Sequence, residues 1–292
     1  MLRGVDDIMD KIDSLRVTVI CENVVANLAG IGEHGFAVYI EADDRIYLFD
    51  TGSGIGIMHN LQVFKKDLKR VEKIFLSHGH YDHTGGLAQV LDVTGSIPVH
   101  GHPSIFDKKY AVSKETFKAE KRFIGIPQRK ELLEAKGAIF RLSKDFEEID
   151  RGVYLTGEVP RLNDFEEGDA KLHVERDGKL ERDTVPDDQS LILSTKKGLV
   201  VLLGCAHAGV INILEHIIKT LNTDNIYAVI GGTHLGMVGG RQLERSIEAL
   251  RSFSIAKIGF SHCTGVSTAC ILNREFGDAS FYASVGSSLE IK

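Results

Sequence analysis

The stretch His78-Gly79-His80-Tyr81-Asp82-His83 decides how the rest of the chain is interpreted. It follows an apolar run, Lys73–Ser77, that is typical of a short buried strand, and it precedes a segment of helical character that begins at Leu87. Imidazole and carboxylate groups are ligands that zinc, ferrous iron and manganese accept. We therefore predict a metal site in the turn between this strand and this helix, in preference to a polar surface turn.

The spacing within the stretch predicts how its ligands are divided between ions. Residues two apart in an extended segment point to the same side, so His78 and His80 can bind one ion together. Asp82 and His83 lie past the bend and can face a second ion about 3.5–4 Å away, as in two-metal hydrolytic sites. The prediction is one or two divalent ions, with zinc preferred over iron or manganese.

Composition places the chain among ordinary globular proteins. Of its 292 residues, 43% are hydrophobic and 26% are charged, and the net charge of −6 argues against a nucleic-acid partner. The four cysteines form no C-x-x-C pair, so we expect reduced thiols. We predict neither a signal peptide nor a membrane span, and therefore a cytoplasmic protein without a membrane partner. The sequence leaves the oligomeric state open.

Several predicted strands end in a residue that can bind metal or substrate. These residues are Asp50, Cys205, His207, His234 and His262. In layered α/β folds such residues gather at the carboxyl ends of strands, where loops converge. Strands alternate with amphipathic helices such as Val210–Leu221, a pattern that permits an αβ/βα sandwich or a single doubly wound sheet. His100 and His102 also end a predicted strand, and each is a candidate ligand, substrate contact or polar loop residue.

Two blocks of opposite charge lie between the two halves of the chain. Residues 108–130 hold eight basic and two acidic residues, a net charge of +6, whereas residues 145–188 hold six basic and fifteen acidic residues, a net charge of −9. We interpret them as an insertion around residues 104–188. The basic block is either a solvated face or an electropositive opening that attracts an anionic substrate, with Lys121 and Arg122 as candidate contacts.

The stretch at 78–83 resembles the H-x-H-x-D-H signature of the metallo-β-lactamase superfamily. The resemblance covers nearly the whole chain, and it implies an α/β fold, the four-layer αβ/βα sandwich, as a single domain over residues 1–292. The metal ligands that it implies are His78, His80, Asp82, His83 and His262. Asp82 could also accept a proton from a metal-bound water. Asp50 matches the first superfamily motif, which implies that it orients a metal-bound imidazole and does not serve only as a helix cap.

The chain departs from the superfamily at one ligand position. Gly204-Cys205 stands where the superfamily has Gly-Asp, with a metal-bridging carboxylate. Cys205 could bind the metal as a thiolate or be a buried structural cysteine, and His207, two residues on, could complete the ligand set. We predict both as ligands, with unequal metal sites as the consequence.

Three further motifs are similar to those of the dihydropterin-related branch of the superfamily, the 7,8-dihydropterin-6-ylmethyl-4-(β-D-ribofuranosyl)aminobenzene 5′-phosphate synthase-like proteins. They are Gly-Cys-Ala-His-Ala-Gly at 204–209, Gly-Gly-Thr-His-Leu at 231–235 and Ser-His-Cys-Thr-Gly at 261–265. The segments 156–161 and 188–190 also resemble that branch. The resemblance implies a metal-dependent enzyme for a small anionic substrate that is phosphorylated or diphosphorylated and possibly of pterin type. Glu158 and Arg161 are candidate substrate contacts, and His234 is a candidate catalytic contact or a polar core residue.

Two other functions fit the same residues. One is a thioester or lactone hydrolase of the same fold, which would show no dependence on phosphate. The other is a metal-binding or redox-sensing protein without turnover, with Cys205 as the sensor.

Overall fold

The computed structural model describes residues 9–113 and 120–292. The first strands in chain order are β1 (Leu15–Cys21), β2 (Ala37–Ala42), β3 (Arg45–Phe49), β4 (Lys73–Phe75), β5 (Ile97–Gly101), β6 (Lys108–Ser113), β7 (Glu120–Phe123), β8 (Ala138–Leu142) and β9 (Glu147–Asp150). They are followed by β10 (Val153–Leu155), β11 (Leu172–Arg176), β12 (Lys179–Arg182), β13 (Ser190–Thr195), β14 (Gly198–Leu203), β15 (Ile226–Gly232), β16 (Lys257–Ser261), β17 (Ser280–Tyr282) and β18 (Ser288–Ile291). The α-helices are α1 (Ile57–Val63), α2 (Tyr81–Thr84), α3 (Leu87–Thr94), α4 (Lys130–Ala135), α5 (Val210–Leu221), α6 (Gly240–Ser252) and α7 (Val266–Phe276).

Two large mixed sheets pack face to face. The first has the order β18-β1-β2-β3-β4-β5-β8 and the second the order β17-β16-β15-β14-β13-β10-β9. Between them lies one apolar core, to which the first sheet contributes Val17 and Phe49 and the second Leu193 and Val200. Helices α1 and α3 cover the outer face of the first sheet, and α5 and α6 cover that of the second. This arrangement is the predicted four-layer αβ/βα sandwich.

The alternation of side chains along β14 shows why its sequence is continuously apolar. Val200 and Leu202 belong to the core between the sheets, whereas Val201 and Leu203 pack against helix α5. Every residue of β14 is buried, because the strand has another layer on both of its faces. The parallel neighbours β14, β15 and β16 therefore end side by side, with their loops at one edge of the sheet.

A third, smaller sheet with the order β12-β11-β6-β7 lies apart from the sandwich strands. In its register Ala111 is opposite both Leu172 and Arg122, which places these three residues on one face. Ala111 and Leu172 pack in a small apolar cluster with Tyr81, so this inner face is turned toward the His78–His83 stretch.

Residues 104–188, predicted as an insertion, contain strands of the sandwich as well as strands of the added sheet. Strand β8 pairs with β5 in the first sheet, and β9 and β10 extend the second sheet next to β13. Buried Ala138, Val153 and Leu155 anchor this middle part in the sandwich. Within the described residues, the added sheet is built from Lys108–Ser113, Glu120–Phe123, Leu172–Arg176 and Lys179–Arg182. The net charge of the two blocks does not report which of their strands are buried in the sandwich.

At the amino terminus, the described residues begin at Met9. Within the described part, Ile12 is fully buried and forms an isolated parallel bridge with Thr195. Across residues 9–113 and 120–292, no helix is long and apolar enough to cross a bilayer.

Candidate metal centre

The predicted ligand residues lie in loops that follow strands of both sheets and meet at one edge of the sandwich. Asp50 follows β3, Ala206 follows β14, His234 follows β15 and His262 follows β16. All four have left-handed backbone conformations, with φ of 57°, 55°, 57° and 50° respectively. Such conformations are costly for residues other than glycine and persist where the surrounding structure enforces them, which is common at functional sites. The backbone turns sharply after each of these strands, and the loops that follow meet at the same edge of the sandwich.

His78, His80 and His207 form the first group of possible metal ligands. One ring nitrogen of each lies within 4.8 Å of the others, and Nε2 of His78 is 2.9 Å from Nδ1 of His80. Burial lowers the pKa of all three rings, that of His80 to about 3, so they are neutral and keep a free lone pair. Within the described part of the chain, neither ring nitrogen of His207 has a hydrogen-bond partner. Buried polar atoms normally have a partner, and a divalent ion would supply it.

His83 and Cys205 form a second group together with His78. Nε2 of His83 is 3.2 Å from Sγ of Cys205, while its Nδ1 is 2.7 Å from Oδ2 of Asp50. Burial acts to lower the pKa of His83, but the Asp50 carboxylate outweighs it and raises that pKa to about 9. Asp50 also accepts a hydrogen bond from the Ser77 backbone N–H at 2.7 Å. The geometry is that of a carboxylate that fixes an imidazole through one nitrogen and leaves the other for a cation.

A third group consists of His34, Asp82 and His262. Oδ2 of Asp82 is 3.1 Å from Nε2 of His34 and 3.4 Å from Nε2 of His262. Burial acts to raise the pKa of Asp82, but hydrogen bonds from His262 and His34 hold that pKa well below its usual range. Oδ1 of Asn23 lies 2.8 Å from Nδ1 of His262 and orients the ring. Asp82 is therefore an ionised carboxylate between two imidazoles.

His34 was missed by the sequence analysis. It precedes β2 instead of following a strand, and no motif marked it. Its side chain is about half exposed, at 52%, unlike the buried rings of the other groups. His34 comes close to Asp82 because the loop before β2 packs against the 78–83 turn. In this contact the Phe36 N–H donates a hydrogen bond to the Asp82 carbonyl at 3.0 Å.

The segment Asp187-Asp188-Gln189 joins the two loops that carry most of these residues. Asp187 Oδ2 accepts from the Gly79 N–H at 2.8 Å, and Asp188 Oδ2 accepts from the Ala208 N–H at 2.8 Å. The Gln189 N–H donates to the Ser77 carbonyl at 2.9 Å. Three consecutive residues thus fix the His78–His80 turn relative to the His207 loop. The sequence analysis had noted only a branch resemblance at 188–190.

Arg161, a predicted substrate contact, is occupied by backbone carbonyls. Its Nη2 donates to the carbonyls of His207 at 2.7 Å and Thr184 at 2.8 Å, and its Nη1 donates to that of Ala208 at 3.3 Å. Arg161 also lines a cavity of about 140 Å³ that reaches His207. These contacts favour a role in holding the His207 loop over direct contact with a substrate.

The remaining predicted residues lie around the three groups. His234 has its ring centroid 4.5 Å from that of His207. His102 is buried and accepts from the Ser104 N–H through Nδ1 at 3.1 Å, with Glu158 3.7 Å from its Nε2. His100 lies against Phe75, with ring centroids 5.4 Å apart and the two rings tilted by 33°. In the described parts of the chain, His100 and His102 belong to none of the donor groups.

The fold and the donor groups can be compared with known proteins. The sequence profile of the metallo-beta-lactamase superfamily matches residues 30–262, which include the 78–83 stretch and reach His262. The chain belongs to this superfamily. The resemblance predicted from the motifs is confirmed, and so is the fold.

The chain is similar to a 7,8-dihydropterin-6-methyl-4-(beta-D-ribofuranosyl)-aminobenzene-5'-phosphate synthase from Methanocaldococcus jannaschii. The two are 30% identical over 278 residues, which are 91% of this chain and 93% of that enzyme. A solved structure of Tm1679, described as a metal-dependent hydrolase of the beta-lactamase superfamily, matches with a TM-score of 0.81 and 29% identity, over 95% of this chain and 99% of the other. Zinc-bound PqqB from Methylobacterium extorquens matches with a TM-score of 0.56 and 12% identity, over 94% and 99% of the two chains, and shows the shared fold.

These comparisons show that the chain is an enzyme of hydrolase or transferase type. Members of the superfamily typically bind divalent metals, and the donor set found here, with imidazoles, one carboxylate and one thiol, fits such ions. The residues His78, His80 and His207 would hold one ion. Asp82, His83 and His262 would hold a second, with Cys205 and His34 at its border.

Proposed function

We propose that the chain is a metal-dependent enzyme that acts on a small anionic substrate of pterin type carrying a phosphate or diphosphate. The observation that carries the proposal is the convergence, at one edge of the sandwich, of three donor groups whose members are buried apart from the half-exposed His34. The substrate class is supported by the 30% identity, over most of both chains, to a synthase whose name specifies a dihydropterin and a phosphate.

Divalent ions held in this centre would lower the pKa of a bound water to about 7 or stabilise a departing diphosphate. The protein's own groups supply the proton transfers and the orientation. Asp82 is ionised and can accept a proton at the oxygen that lies between His34 and His262. Asp50 holds His83 in one orientation, and Asp187 holds the turn between His78 and His80.

The added sheet places a positive charge on its inner face, which is turned toward the centre. Strand alternation places Arg122 on the inner face with Ala111, whereas Lys121 lies on the outer face, where its Nζ is 2.8 Å from Glu175 and 3.7 Å from the Tyr110 ring centroid. Arg122 is exposed and comes close enough to Tyr81 to lower the pKa of that phenol, although burial, the main influence, raises it. Of the two predicted contacts, Arg122 is therefore the one that faces an approaching anion. Lys114 and Lys118 of the same basic block lie outside the described residues.

Replacing Arg122 by alanine should raise KM for an anionic substrate about fivefold, equivalent to about 1 kcal/mol for one partly screened charge, with kcat unchanged. The effect should shrink at high salt, because screening is strong beyond ~10 Å at 0.1 M. Lys121→Ala removes the same charge one residue away on the outer face and serves as the matched control. Equal KM values for the two variants at low salt would contradict this placement of the substrate.

The proposed function is tested with the purified, metal-loaded protein and two substrates. One is a 7,8-dihydropterin with a diphosphate on its 6-methyl group, and the other is 4-(β-D-ribofuranosyl)aminobenzene 5′-phosphate. We expect the joined product and free diphosphate in equal amounts by liquid chromatography and mass spectrometry, and none after chelation of the metal or in His80→Ala. Inactivity toward this pair and toward other phosphoesters and diphosphates, together with hydrolysis of thioesters or lactones, would establish the alternative function instead.

A further inference from the structure

Three neighbouring parallel strands each deliver one metal-binding side chain that the centre described above does not fully use. Cys205 follows β14, His234 follows β15 and Cys263 follows β16. One donor atom of each residue lies within 4.8 Å of the others. Cys205 is shared with the His78–His83 group, whereas His234 and Cys263 belong to this cluster alone among the donor groups of the described residues.

The backbone holds this cluster in place. Sγ of Cys263 accepts from the His234 N–H at 3.3 Å and donates to the Cys205 carbonyl at 3.4 Å. The adjacent residues Thr233 and Thr264 are joined through their hydroxyl oxygens at 2.9 Å. Hydrogen bonds thus hold the loops after β14, β15 and β16 together without a bound ligand.

Gly232 permits the close approach of Cys263. A Cβ atom at this position would lie 2.6 Å from Sγ of Cys263 and 2.6 Å from the carbonyl oxygen of Gly204. No side chain larger than hydrogen fits without moving the thiol. Glycine at position 232 therefore leaves the space that the Cys263 thiol occupies in the cluster.

The cluster is buried and its imidazole lacks a partner. Cys205 is 3% exposed, and Cys263 and His234 are each 9% exposed. Across the residues that the structure describes, neither ring nitrogen of His234 has a hydrogen-bond partner, and the nearest carboxylate oxygen, Oδ2 of Asp169, is 3.8 Å from Nε2. A buried polar group without a partner is unfavourable, and a bound cation would offset this cost.

The six residues assigned above to two ions, His78, His80, Asp82, His83, His207 and His262, are called the main centre. We propose that Cys205, His234 and Cys263 bind a thiolate-preferring divalent cation of the zinc type, in addition to the ions of the main centre. Two thiolates and one imidazole are a ligand set of catalytic zinc, in which a fourth position stays open for water or substrate. Asp169 stands beside the imidazole as carboxylates do in many zinc sites. Cys205 would then belong to both this site and the main centre, and His234 would act on the substrate through the cation and not by direct contact. The proposal goes beyond the proposed function, which requires only the main centre.

Cobalt(II) substitution tests the proposal without relying on activity. The metal-free protein is prepared with a chelator under reducing conditions, reloaded with cobalt, and examined by elemental analysis and by its thiolate-to-cobalt absorption in the near ultraviolet. We expect Cys263→Ser to bind about one ion fewer than the wild type and to lose part of this absorption. Cys270→Ser, which changes an exposed cysteine outside every donor group of the described residues, should match the wild type.

A second variant separates this site from the main centre. His78→Ala/His80→Ala should lose ions of the main centre and retain the thiolate-to-cobalt absorption, even if the proposed function is wrong. Gly232→Ala, which changes none of the three donor residues but forces the Cys263 thiol to move, should behave like Cys263→Ser. The proposal is overturned if Cys263→Ser keeps the wild-type ion count and absorption. If Cys263→Ser fails to fold, X-ray absorption of the zinc-loaded wild type decides, because the absence of sulfur neighbours at about 2.3 Å would also overturn it.

Discussion

Replacing Asp82 and His83 together by alanine is expected to remove at least one metal ion per chain and to lower kcat/KM about 1000-fold. The double variant deletes the carboxylate that lies between His34 and His262 and the imidazole that faces Cys205. A metal that polarises a phosphoryl oxygen or activates water contributes several kcal/mol to the transition state, and about 4 kcal/mol corresponds to this loss. The measurement is elemental analysis combined with steady-state kinetics on the substrate pair given above.

Two further variants make this result specific. His100→Gln alters a histidine that lies outside the donor groups of the described chain, so its metal content and activity should equal those of the wild type. Asp50→Asn leaves every ligand in place but weakens the contact that orients His83, and it should lower metal affinity about 10–100-fold. Full metal content and full activity in Asp82→Ala/His83→Ala would refute the two-ion assignment.

Lys109→Met is expected to lower the free energy of unfolding by about 3–5 kcal/mol. Lys109 belongs to the basic block, yet its side chain is only 1% exposed, and Nζ lies 2.7 Å from Asp187 and 3.0 Å from Asp183. Removing one partner of a buried ion pair leaves uncompensated charge in a medium of low polarity. The unfolding free energy is measured by denaturant titration in the presence of a chelator, so that metal binding does not add to the stability of the folded state.

The neighbouring Lys108 provides the matched control. Its side chain is 68% exposed, and its Nζ lies 3.4 Å from Glu175 at the protein surface. Because this ion pair is exposed to solvent, Lys108→Met should change the free energy of unfolding by less than about 0.5 kcal/mol. Neutralising the buried acids as well, in Lys109→Met/Asp183→Asn/Asp187→Asn, should recover part of the loss, because the uncompensated charges are then gone. A loss below about 1 kcal/mol in Lys109→Met would show that Asp183 and Asp187 tolerate burial without the lysine.

Lys109 connects the added sheet to the metal centre through Asp187. Asp187 binds Lys109 through Oδ1 and the Gly79 N–H through Oδ2. The added sheet is therefore anchored to the turn between His78 and His80 by one carboxylate. We expect Lys109→Met to weaken metal binding as well as folding.

Local sequence was sufficient for the alternation of strands and helices and for the position of the 78–83 turn, whereas the motif resemblance selected the sandwich over a single doubly wound sheet. Helix α5 spans the predicted Val210–Leu221, and strands β3, β14, β15 and β16 end within two residues of Asp50, Cys205, His234 and His262, as predicted. Continuous apolar runs and a 3.6-residue period depend only on neighbouring residues. The 78–83 stretch was located for the same reason. The strands β8 and β11 of the charged middle region were not predicted, because polar and partly exposed residues interrupt their apolar pattern.

The sequence by itself thus determined the superfamily, the layered α/β fold and the residues able to bind metal after β3, β4, β14, β15 and β16. Only the tertiary structure decided which of these residues meet. It brought His34 to Asp82, placed Cys263 beside Cys205 and His234, buried Lys109 and turned Lys121 away from the centre. The physical reason is that periodicity reports the side of an element on which a residue lies, whereas distances between loops depend on how the two sheets and the added sheet pack against one another.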